Sequence, residues 1–86
     1  MRTVNESQID RFCAVYTIAL EEAITTHPDE YCYPVSEVPL VIAKMRKAFI
    51  AKTYNYEGRA IRNTCKSLGI PHTVKAMEAF FTAATP

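Results

Sequence analysis

Ile9, Phe12, Cys13, Tyr16, Leu20 and Ala23 recur at helical spacing, and this stripe does most to limit what the chain can fold into. With 3.6 residues per turn, only a helix gathers residues at such steps onto one side. Asn5 marks its start as a side-chain cap, and Gln8, three residues on, stands where a capping box would have it reach back. The end is expected at His27, because the ring of Pro28 disfavours helical angles in the residue before it.

A second stripe follows in Val38, Val41, Ile42, Met45 and Phe49, ending near Lys52. Ser36 is expected to cap it, with Pro39 in the first turn, where a missing N–H is harmless. A third helix is expected to begin between Asn55 and Gly58, with Ile61, Cys65 and Leu68 as a narrow apolar face. Gly69 then takes the left-handed stop position, and Ile70 folds back over Cys65 in a Schellman arrangement. Pro71 is expected to open a fourth helix, with Val74, Met77, Phe80 and Phe81 facing inward. No long strand is needed; at most "YCY" and "YNY" would pair as a short ribbon.

The expectation is therefore all-α: a single helical domain over residues 1–86, a small bundle of about four helices joined by short tyrosine-containing connectors. At 86 residues the core is thin, and apolar stripes left uncovered point to a homo-oligomer. No run approaches the ~18 consecutive apolar residues of a membrane span. The polar opening "MRTVNESQID" leads directly into the first stripe, so no secretory signal and a cytoplasmic location are expected. Cys13, Cys32 and Cys65 are odd in number and form no C-x-x-C pair, which fits reduced thiols; Cys13 and Cys65 read as small core residues. No metal site is expected, because zinc ligands normally come in short-spaced pairs.

Charge is divided along the chain. Residues 1–38 hold two basic and seven acidic residues, net −5, while residues 39–86 hold eight basic and two acidic, net +6. Such polarity points to an anionic partner, or to neutralisation of one half by the other within the fold. On the third helix Arg59, Arg62 and Lys66 form a stripe opposite the apolar face; Lys44, Arg46 and Lys47 add to it from the second helix and Lys75 from the fourth. The plain alternative is a solvated helix face.

No phosphate-binding glycine loop, nucleophile motif or ligand cluster is present, so no catalytic residue and no cofactor are expected. The connector tyrosines, above all Tyr54 and Tyr56, are candidates to anchor a protein interface or stack a nucleobase. Their plain reading is as covers for the ends of a thin core. The candidate binding set is thus Lys47, Tyr54, Tyr56, Arg59, Arg62, Lys66, His72 and Lys75.

From Ala60 to Phe81, a short basic helix, the Gly69 turn, Ile70 and a longer helix resemble a helix-turn-helix in outline. In that family a small buried residue precedes the turn glycine by four, and Cys65 satisfies this. The apolar position wanted about six after the glycine holds Lys75; Val74 supplies it one residue early, about 100° around the helix. His72, Thr73 and Lys75 would face the groove, without the Arg, Asn or Gln that usually read base edges. The segment "NYEGRAIRNTCKSLGIPHTVKAMEAFF", about the last third of the chain, is also similar in texture to C-terminal segments of small uncharacterised accessory proteins of bacteriophages and prophages. That resemblance implies a stoichiometric binder acting on host machinery, including bacterial defence, in the host cytoplasm. The expected function is accordingly non-enzymatic binding to a host protein or nucleoprotein; a DNA-binding regulator is the alternative and a small-nucleotide binder the third.

Overall fold

The computed structural model describes residues 3–54 and 58–84. Four α-helices occur among the described residues, α1 (Glu6–Thr26), α2 (Val38–Ala51), α3 (Arg59–Leu68) and α4 (Val74–Thr82), with no strand. Short 3₁₀ turns at Pro28–Glu30 and Val35–Glu37 fill the α1–α2 connector. The long α1 is the central element: α2, α3 and α4 all dock on it.

The stripe read from the sequence explains why. Ile9, Phe12, Cys13, Tyr16, Leu20 and Ala23 are all buried, and Phe12 is wholly enclosed. The Phe12 ring meets Phe49 at 5.2 Å and Phe81 at 5.1 Å, both edge to face, and Phe80 at 6.3 Å. One side chain of α1 therefore binds α2 and α4 together. Edge-to-face rings add about 0.5–1.5 kcal/mol per pair to the burial of their area.

Polar contacts fix α4 against the start of α1. Asn5 caps α1 by accepting from the Ser7 N–H at 3.0 Å, as expected. Its backbone N–H donates to the Phe81 carbonyl at 2.7 Å and its side-chain amide to the Ala83 carbonyl at 2.8 Å. Gln8 does not close a capping box. It donates instead to the Phe80 carbonyl at 3.3 Å and accepts from Arg11 at 2.8 Å. Carbonyls at the end of α4, where helical partners run short, thus receive donors from the start of α1; that of Phe80 also accepts from the Ala83 N–H at 3.3 Å.

The expected stop at His27 is observed, as is the Schellman turn at Gly69. The Ile70 N–H donates to Cys65 and the Gly69 N–H to Lys66, with Gly69 at φ 71°. Two expected starts are corrected. Ser36 lies within the 3₁₀ turn, so Glu37 occupies the cap position of α2 without a side-chain cap bond. Pro71 does not open α4: Thr73 caps that helix by accepting from the Ala76 N–H at 3.1 Å. A hydroxyl able to bond the backbone wins over the fixed φ of a proline two residues earlier. Val74, expected to face inward, is 39% exposed in the first turn of α4. The ribbon between the tyrosine stretches is absent from the described residues; Tyr56 lies outside them.

Candidate functional site

The acidic first half of the chain engages two of the cations of the basic half. Arg46 on α2 donates to Asp10 at 2.7 Å and to Glu6 at 2.9 Å on α1. These bonds to carboxylates hold its pKa above the ordinary value. Arg59, at the start of α3, donates through Nε and Nη2 to the two oxygens of Glu30, at 3.1 and 3.0 Å. This two-pronged bond pulls the Glu30 carboxyl below its usual range. Arg59, expected to lead an anion-binding stripe, is thus spent largely on an internal carboxylate.

The remaining cations are distributed among separate grooves. Arg62 is exposed beside Asn63, Arg59 and Glu30. One turn further along α3, Lys66 joins Asn63 and Ser67 to form one wall of a groove, with Val15, Ile18, Ala19 and Glu22 of α1 as the other. Ile18 is 66% exposed there. Lys75 lies in a different groove with Lys52, Glu78, Ala79 and Thr82. Lys47 is exposed on α2 and lines none of these three grooves. The stripe read from the sequence is consequently broken up. Arg62 and Lys66 remain neighbours, whereas Lys47 and Lys75 belong to other helices and other surfaces.

The tyrosines are also redistributed. Tyr54 turns into the core, its ring edge-on to Phe49 at 5.1 Å and perpendicular to Phe81 at 5.7 Å. Its hydroxyl is covered and has no hydrogen-bond partner among the described residues. Burial, with Glu78 nearby, pushes the phenol pKa up. This is the covering role expected as the plain alternative, and it leaves Tyr54 only partly exposed. Tyr31 and Tyr33 pack on each other at 6.0 Å, T-shaped. Tyr56 lies outside the described residues, and His72 is half-buried in the turn before α4.

The buried thiols are chemically quiet. Burial and the charge of Asp10 push Cys13 up to about 11, and burial raises Cys65. A thiol with a raised pKa carries little thiolate at neutral pH and is a poor nucleophile. No group of three His, Cys, Asp or Glu among the described residues is arranged to hold a metal. No helix among them is long and apolar enough to cross a membrane.

The two most exposed large apolar residues among those described, Ile18 and Leu40, each 66% exposed, were not singled out from the sequence. The signal was present: both fall out of phase with the buried stripe of their own helix, and an apolar residue off the stripe faces solvent or a partner. Leu40 shares a groove with Tyr33, Val41 and Met45, bordered by Glu37 and Lys44. No family model, curated protein or solved structure matches the chain.

Proposed function

We propose that the protein is a non-enzymatic binding protein that occupies a host protein or nucleoprotein at a fixed ratio, as a phage-type accessory or anti-defence factor would. The supporting observation is the α1–α3 groove, where the exposed Ile18 faces a wall ending in Lys66. Arg62 stands one helical turn away on α3. An apolar contact beside one cation, with a second cation a turn along the same helix, suits a partner segment presenting an apolar side chain next to carboxylates.

The alternative, a DNA-binding regulator using residues 59–81, draws support from the helix–glycine turn–helix outline around Gly69. It is weakened by the use of Thr73 as a helix cap and by the grouping of Lys75 with Glu78 rather than with Lys66. The nucleotide reading has least support, since Tyr54 packs into the core and Tyr31 and Tyr33 meet edge to face.

The test is co-purification of the tagged protein from bacterial cells, with the eluate weighed by native mass spectrometry. A single partner at fixed stoichiometry is expected, lost in Ile18→Asp and in the Arg62→Ala, Lys66→Ala double variant. In parallel, anisotropy on mixed-sequence duplex DNA is followed across a salt series. Micromolar DNA binding that falls steeply with salt and survives Ile18→Asp would replace this proposal with the regulator reading.

A further inference from the structure

We propose that the outer face of α2 is a self-complementary surface on which a second copy of this chain docks antiparallel. The groove there is lined by Tyr33, Glu37, Leu40, Val41, Lys44 and Met45. Leu40 is 66% exposed, and Tyr33, Val41 and Met45 are partly buried against the core beneath it, so the patch is contiguous and apolar. The charges at its border identify the occupant.

Glu37, at the cap of α2, and Lys44, within it, are seven residues apart, about 10 Å along the axis, and both line this groove. Leu40 and Val41 stand midway between them. A two-fold axis through that midpoint, perpendicular to the helix, lays Glu37 of one copy on Lys44 of the other and Lys44 on Glu37. It lays each Leu40 on the other copy's Val41. The interface is isologous, with each charge lining the groove matched by its opposite. A parallel arrangement in the same register would set like charges together. A groove lined by one sign would select a foreign partner of the other sign; this groove is lined by one charge of each sign at mirrored positions, and its complement is itself.

Neither charge is committed elsewhere among the described residues: Glu37 makes no cap bond, and neither residue takes part in an ion pair. One helix face is small for an interface, so the dimer is expected to dissociate on the order of 10 µM. This inference does not depend on the identity of the host partner, because the α1–α3 groove is lined by different residues.

Sedimentation equilibrium of the purified chain from about 2 to 500 µM tests it, with circular dichroism to verify that each variant stays helical. The unaltered chain should dimerise reversibly. Leu40→Asp, Glu37→Lys and Lys44→Glu should each weaken the dimer at least tenfold. The double variant, Glu37→Lys with Lys44→Glu, should regain it. An equimolar mixture of the two single-charge variants should form heterodimers, since both cross-pairs become opposite in sign only between the two. A chain monomeric throughout would overturn the proposal and leave the groove to a foreign segment. A dimer indifferent to Leu40→Asp, or charge variants that fail to rescue each other, would overturn it as well.

Discussion

Tyr54→Phe should stabilise the protein. The hydroxyl of Tyr54 is covered and finds no hydrogen-bond partner among the described residues, while the ring packs against Phe49 and Phe81. A hydroxyl taken out of water without compensation costs about 1–3 kcal/mol in protein mutational data. Because the residue as a whole remains partly exposed, the lower end applies, about 1 kcal/mol. At about 2.1 cal/mol/K per residue, the unfolding entropy of an 86-residue chain is about 180 cal/mol/K, so the gain corresponds to about 5 °C in Tm. Tyr54→Ala should instead lose about 3 kcal/mol, since it also removes the ring contacts. Thermal and urea unfolding followed at 222 nm measure both. A Tm for Tyr54→Phe that falls by 3 °C or more would refute the reasoning, because it would mean that the hydroxyl gives up a stabilising bond when the protein unfolds.

The two helix stops predict opposite signs for glycine exchange. Lys52 ends α2 at φ 59°, in the left-handed region, so Lys52→Gly should stabilise by about 0.5–1 kcal/mol after the greater flexibility of unfolded glycine is subtracted, measurable by urea unfolding. Gly69→Ala should destabilise by about 1 kcal/mol in the same assay; a Cβ there meets nothing within 4 Å, so the cost is purely conformational. Glu30, held below its ordinary carboxylate range by Arg59, contributes stability at neutral pH that is lost as pH falls through its lowered folded value. Carboxyl-detected NMR titration should show Glu30 titrating below the ordinary glutamate value, and Arg59→Ala should return it toward that value.

Local rules made much of the fold legible. The α1 stripe, the Asn5 cap and the break before Pro28 each follow from residues a few positions apart, and so does the Gly69 stop. The errors came where two local signals competed: Pro71 and Thr73 both suit a helix start, and the hydroxyl that could bond the Ala76 N–H prevailed. Ser36 lost its expected role because a 3₁₀ turn extended the chain into α2. The candidate site was less legible, because its members are defined by distant partners. Arg59 and Glu30 are separated by 29 positions and Arg46 and Asp10 by 36. Charge asymmetry indicated that such neutralisation could occur, but no spacing rule says which arginine meets which carboxylate. Tyr54 similarly follows the left-handed Lys52, a reversal that directs the chain back over Phe49 and Phe81.

The internal pairing alters what the divided charge means for binding. Arginine is the residue best suited to clamp phosphate bidentately, yet Arg46 and Arg59 are turned onto carboxylates of the same chain. Cations outside these pairs include Lys66, in a groove with the exposed Ile18, and Lys44, in a groove with the exposed Leu40. A surface evolved for the phosphate backbone gains most from dense, unpaired cations, with no corresponding requirement for apolar residues between them. An apolar residue beside a single cation instead resembles the makeup of protein interfaces, where burial supplies affinity and charge supplies register. On the proposed reading, affinity for the partner should fall only modestly with salt, through the charge contacts of Arg62 and Lys66, whereas duplex DNA would lose affinity with a slope near −0.9 for each phosphate neutralised. The slope of log affinity against log salt, measured once a partner is purified, separates the two: a steep slope would mean that the cations, and not Ile18, hold the partner.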